Sequence, residues 1–243
     1  MNAGMGMTLR QAALVAALAS FAPLLLGGVP FAEFYVFARL IVPGDTAETA
    51  QNILANRSLF LTGVFAHLIT FVADIVLAWA LYVLLVPVHR ALALLTAWFR
   101  LIYTAVALSA LMHLVSAFRL LEDGTFARTF GADQLHAQVE VLIRSFKYEW
   151  SLCIAIFGIH VVLLGYLVSR SRYIPRILGV LLVVAGLGYM INYLRPFLYP
   201  DLDTGFLFVT FFGELVFALW LLVRGWRIPE PAAHIERGVE VSR

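Results

Sequence analysis

Six stretches of apolar residues, each near the ~20 residues that cross a bilayer's hydrocarbon core, constrain this chain more than any other feature. A backbone inside lipid finds no water for its N–H and C=O groups, so each stretch has to close its own hydrogen bonds as a helix. The spans fall at about residues 9–29, 59–86, 91–118, 150–168, 174–193 and 206–226. Hydrophobic residues make up 62% of the 243 and charged ones only 13%, against roughly 45–50% and about 25% in soluble domains. That excess cannot be hidden in a soluble core. It excludes a disordered chain, a disulfide scaffold and a conventional soluble enzyme. The expected fold class is all-α, a polytopic membrane bundle of six transmembrane helices. Residues 1–228 read as one six-helix domain and 229–243 as a short, fraying tail after Pro229 and Pro231.

The ends of the first span are marked by Pro23, Gly27, Gly28 and Pro30, which signal a kink or stop. An apolar extension over 31–42 carries Glu33 and Arg39 and reads as interfacial. Ala17-Leu18-Ala19 has the look of a signal-cleavage triplet, but apolar character continues far beyond it, which favours a retained anchor. Arginines set the orientation. Arg170, Arg172 and Arg176 share one short connection, and Arg10, Arg90, Arg224, Arg227, Arg237 and Arg243 join them on that side. Both termini are therefore expected in the cytoplasm, with the protein in the inner membrane. Tyr173 and Trp226 would mark the inner interface, and Tyr148, Trp150 and Tyr199 the outer one. Asp45 and Glu48 have the spacing of a helix cap, opening a helix that would run into the second span. Leu135, Val139, Leu142, Phe146 and Trp150 form an amphipathic stripe leading into the fourth span.

Ionisable groups at mid-membrane cost several kcal/mol unless paired or wet, so each calls for a partner. His67, Thr70 and Asp74 share one face of the second span, and Arg100, Thr104 and His113 lie near one another on the third. Counted from the hairpin at 87–90, Asp74 and Arg100 lie about 20 and 15 Å deep at 1.5 Å per residue. Adjacent antiparallel helices would bring them into a buried ion pair. Glu214 and His160 sit at comparable depths in the sixth and fourth spans. They are expected to approach within hydrogen-bonding reach and border a pocket; the inert alternative sets Glu214 against Arg100 and Asp74. The candidate intramembrane polar site is thus Asp74, Arg100, His160, Glu214, His67 and His113. Gly179, Val183 and Gly186 form a stripe for close helix packing. No two of the six histidines are four or fewer residues apart, and no HExxH, phosphate loop or Gly-x-Ser-x-Gly occurs, so no metal or cofactor is expected.

The residues resemble one known family. Phe157-Gly158-Ile159-His160, Leu163-Leu164-Gly165-Tyr166-Leu167, Ile174-Pro175-Arg176-Ile177-Leu178-Gly179 and Ala185-Gly186-Leu187-Gly188-Tyr189 carry the likeness, with Asn56, Ala80-Leu81-Tyr82, Pro87-Val88 and Gly213-Glu214-Leu215. They are similar to an uncharacterised family of bacterial multi-pass membrane proteins, domain of unknown function 4386. The resemblance implies a bacterial inner-membrane protein and supplies no reaction. It also implies an acidic residue at the place of His67, where this chain departs.

Three functions are compatible with these residues. The first is a small-solute or proton-coupled carrier that uses mid-membrane acid–base groups; the lack of internal repeats and of broken helices counts against it. The second is a membrane-embedded enzyme acting on a lipid-like substrate, and the third an accessory subunit whose ions are structural. Membrane lipids are the expected partners, with room for a small-molecule ligand. The net charge of +2 gives no nucleic-acid footprint, and no protein partner is indicated.

Overall fold

A computed structural model describes residues 7–230; residues 231–243, with Arg237, Arg243 and the bulk of the expected tail, lie outside the described residues. Helix α1 spans Leu9–Leu25 and begins in a capping box, with the Gln11 N–H on the Thr8 hydroxyl at 3.2 Å and the Gln11 side chain on the Thr8 N–H. Glu230, near the other end of the chain, accepts from the N–H groups of Leu9 and Arg10 at 3.0 and 2.9 Å. Burial pushes the Glu230 carboxyl up, but these donors more than offset it and hold it below the usual glutamate value.

At 17 residues α1 reaches only about 25 Å, too short to cross alone. The chain breaks at Gly27, whose φ of +77° only glycine adopts freely, and restarts at Val29. It then runs as α2 (Val29–Phe31), a π turn (Ala32–Phe37) and α3 (Ala38–Leu40). This is not an interfacial extension. It lies along α5 (Arg57–Leu85), with the Val29 N–H on the Thr70 hydroxyl, Glu33 beside His67, and Phe37 against Phe60. The first crossing is therefore one broken helix. Its break faces Thr70, midway along α5.

α4 (Thr46–Ala55) starts on Asp45, which accepts from the Glu48 N–H at 2.8 Å, and ends at a kink on Asn56 instead of running on into α5. α6 (Arg90–Glu122), α7 (Gly124–Phe130), α8 (Ala132–Arg170) and α9 (Arg176–Leu198) follow. The amphipathic lead-in is continuous with the fourth crossing, making α8 39 residues long with Leu135, Val139, Ile143 and Phe146 buried. The sixth crossing is irregular: a 3-10 segment (Gly205–Phe211) passes into α10 (Phe212–Arg224) and a last 3-10 turn (Gly225–Arg227). Among the described residues five helical segments are long and apolar enough to cross a membrane, and α1 is a shorter apolar one. The fold is the expected all-α membrane bundle.

Each crossing packs on its neighbours in the chain, α1 on α5, α5 on α6, α6 on α8, α8 on α9 and α9 on α10, and α10 returns to α1. The six close into a ring. Both described ends lie together at one face, here the terminal end, where the Tyr173 hydroxyl also donates to the Leu84 carbonyl. The outward faces of α5, α6, α9 and α10 are apolar, with Phe65, Val72, Trp98, Val180, Ile191 and Val223 exposed. In water that surface would aggregate; in lipid it is solvated.

The tightest seam joins α8 and α9, where glycines meet backbone to backbone. A Cβ on Gly186 would lie 2.6 Å from the Gly158 carbonyl, and one on Gly179 2.6 Å from that of Gly165. Gly186→Ala should therefore cost about 1–3 kcal/mol through overpacking, whereas the lipid-facing Val180→Ala should stay within about 0.5 kcal/mol. Thermal melts of the two variants in one detergent check this; equal melting would mean that the seam relaxes freely.

Candidate functional site

The first polar centre is built on four crossings. α5 supplies Asp74, α6 Arg100, α8 His160 and α10 Glu214, and the hairpin between α5 and α6 brings Asp74 and Arg100 to similar depths. Asp74, Arg100 and His160 are buried, and Glu214 is half-buried. Arg100 donates through Nε to Asp74 Oδ1 at 3.1 Å, and Nη2 makes a second, shorter bond to the same oxygen. Its Nη1 lies 3.1 Å from His160 Nε2, and His160 Nδ1 lies 2.8 Å from the Thr96 carbonyl. Guanidinium only donates and a carbonyl only accepts. His160 must therefore be neutral, with its proton on Nδ1. The Phe157 ring lies 5.1 Å from the Arg100 guanidinium carbon and covers it on one side.

The expected approach of His160 to Glu214 does not occur. α9 packs between α8 and α10, and its Tyr189 hydroxyl donates to Glu214 Oε2 at 2.6 Å. His160 has meanwhile given its lone pair to Arg100. Glu214 remains within electrostatic range of Arg100 and Asp74 without touching either. Cavities of about 470 and 410 Å³ open at the terminal end, away from this centre, lined by His89, Tyr166, Arg170 and Tyr173 and by Tyr173, Trp220, Arg224 and Arg227.

The second centre lies further along α5, beside the π turn. His67 is fully buried, its Nδ1 3.1 Å from the Gly63 carbonyl and its Nε2 3.2 Å from Glu33 Oε1. Neither Nε2 nor Oε1 is aligned in a hydrogen bond. Trp150, expected at the outer membrane interface, is half-buried, with its ring 5.5 Å from the imidazole. His113 is not part of either centre; it pairs with Glu149 at 2.8 Å. Among the described residues no three His, Cys, Asp or Glu side chains converge as a metal site would require. Asn192 accepts from the Thr204 hydroxyl at 2.6 Å, tying α9 to the start of the sixth crossing.

The sequence pattern of a family described as "Domain of unknown function (DUF4386)" matches residues 14–225, which takes in all six crossings and both polar centres. The chain belongs to the DUF4386 family. This DUF4386 protein is also similar to an "Uncharacterized protein" of the archaeon Archaeoglobus fulgidus, 33% identical over 172 residues, covering 70% of this chain and 86% of that protein. No solved structure matches it.

Glu33 and Tyr189 are the site residues missed by reading the sequence alone. Glu33 sat in a segment taken as interfacial, although a Gly-Gly-x-Pro break inside some 30 apolar residues is itself the signature of one interrupted crossing. Tyr189 carried no signal beyond its place on α9.

The Asp74–Arg100 bridge yields a direct test in this DUF4386 protein. Asp74→Asn strands the guanidinium and should cost about 3–5 kcal/mol. The exchange Asp74→Arg with Arg100→Asp should recover part of the loss. Denaturant titration in mixed micelles measures both; single variants as stable as the wild type would deny the pair any part in stability.

Proposed function

We propose that this DUF4386 protein is a carrier that moves protons, or a small solute together with protons, across the cell membrane. The observation that carries the reading is a charge imbalance. Among the described residues, two acids, Asp74 and Glu214, lie near one buried guanidinium, that of Arg100. His160 is neutral by its hydrogen bonds, so Arg100 can balance only one of the two acids near it. A second carboxylate at that depth has to bind a proton or meet water. Glu214, half-buried and held by a tyrosine hydroxyl, is the group free to do so. Gaining a proton there removes the excess charge, and losing it restores a carboxylate poised to attract a cation or the next proton. The broken first crossing also supports a carrier, because interrupted helices near ion sites accompany alternating access.

We further propose that the terminal end faces the cytoplasm. Arg10, Arg90, Arg170, Arg172, Arg176, Arg224 and Arg227 cluster at that end, where the acid among the described residues is Glu230. Short loops rich in arginine stay inside. In a bacterium this membrane is the inner one.

Two experiments test these readings. Protein reconstituted in liposomes with an interior pH dye should relax an imposed proton gradient faster than empty vesicles. Glu214→Gln should bring the rate down to that of empty vesicles, and Val180→Ala should not. Wild-type protein that matches empty vesicles, with or without a panel of small solutes, overturns the carrier. For orientation, Ser171→Cys should resist a membrane-impermeant thiol reagent in intact cells and Gln138→Cys should react; the reverse pattern inverts the topology.

A further inference from the structure

We infer that Glu33 and His67 form a second proton-binding site, where a caged imidazolium paired with a carboxylate fastens the far half of the broken first crossing to α5. The hydrogen-bond roles around the ring leave little choice. The Gly63 carbonyl can only accept, so Nδ1 carries hydrogen. In a neutral ring Nε2 would then present a lone pair to Glu33 Oε1 at 3.2 Å. Two acceptors with no other partner would repel each other in a site the solvent does not reach. A proton between them turns that repulsion into a charge-assisted bond.

The surroundings suit the charged ring. Phe37, Phe71, Phe146 and Trp150 stand around His67 with centroids 5.7, 5.9, 5.6 and 5.5 Å away, the last three in T-shaped approach. Aromatic walls at this range stabilise a desolvated cation. His67 itself is closed off, but the Glu33 side chain is 33% exposed and gives the proton a way in. Other titratable or charged groups around the pair are few. Tyr193 of α9 feels the Glu33 charge, Tyr103 of α6 packs on Trp150, Glu149 next to Trp150 on α8 is engaged by His113, and Arg39 stacks over Tyr35 at 3.7 Å. None of these contacts supplies Glu33 with a cation.

The site adjoins the break. Thr70, one turn from His67, bonds the Ala66 carbonyl and receives the Val29 N–H, while Glu33 rides in the π turn that follows. Inside a helix such turns recur at functional positions. With the proton bound, the segment 29–40 is pinned at both Thr70 and His67. Without it, the repelling pair leaves only the hydroxyl contact and side-chain packing. A role in transport rests on the carrier reading above; the proton and the tether do not.

Full-length protein labelled with 15N-histidine in lipid nanodiscs supplies the test. The His67 resonance is assigned by its loss in His67→Gln or, if that variant does not fold, by its contact with 13C-labelled glycine carbonyl at Gly63. Near neutral pH the proposal expects protons on both ring nitrogens in the wild type and a neutral ring in Glu33→Gln. Amide exchange across residues 29–40 should quicken roughly tenfold or more in that variant. A bare Nε2 beside an ionised Glu33 in the wild type overturns the site, and unchanged exchange in Glu33→Gln overturns the tether. Proton flux through Glu214 would survive either result. Loss of flux with the His67 signal intact would instead overturn the carrier alone.

Discussion

One buried guanidinium, that of Arg100, stands near two carboxyl groups, Asp74 and Glu214, inside an apolar body, and the register of the helices that meet there follows from how it is shared. Lipid offers charges no solvation, so Asp74 takes both near donors of Arg100 and His160 takes a third. Helices α5, α6 and α8 are thereby locked in register at one depth. The bond from His160 to the Thr96 carbonyl extends the lock along α6. Glu214, which Arg100 does not touch, and Glu33, at the second centre, both lie on the two crossings that are not regular helices.

Regularity is distributed with that division. The four crossings formed by α5, α6, α8 and α9 are uninterrupted, and glycines at 158, 165, 179 and 186 press the α8 and α9 backbones together. Such contact leaves no room for sliding, because interdigitated backbones have few alternative packings. The first and sixth crossings are different. One breaks at Gly27, the other begins as a 3-10 segment, and they pack on each other. Glu33 and Glu214 sit just past these irregularities. A frame of four regular helices with two interrupted ones alongside thus sets the irregular backbone next to Glu33 and Glu214, the groups to which the proposed proton binding is assigned.

Much of this was legible in the sequence, and the reason is one of dimension. A crossing needs about 20 apolar residues, a length that composition reveals directly, and a tight hairpin fixes relative depth on both its arms. That was enough to pair Asp74 with Arg100. The pairing of Glu214 was not legible, because depth says nothing of the order of helices around a ring or of their rotation. α9 intervenes, and Tyr189 rather than His160 meets the acid. Glu33 was hidden for a different reason. The break at Gly27 and Gly28 looks like an ending when read alone; the length of the apolar run hints at a continuation, and the packing of Phe37 and Val29 on α5 establishes it.

The two polar centres do not touch, and what separates them is aromatic. From His67 the rings run through Trp150 to Tyr103, whose centroid is 4.8 Å from that of Phe157, and Phe157 in turn stacks on His160 and meets Tyr189 edge-on. A proton moves along hydrogen bonds, and between Nε2 of His67 and the carboxyl of Asp74 this row of rings offers none beyond the Tyr103 hydroxyl. Packing joins the centres. The half-helix carrying Glu33 also carries Phe37, one wall of the cage around His67, and the cage's Phe71 and Trp150 pack on Tyr103, which packs in turn on Phe157, the ring over Arg100. Rings packed this closely move together or not at all. On the proposed carrier reading, this row of rings is what would keep a proton held at one centre from passing straight to the other.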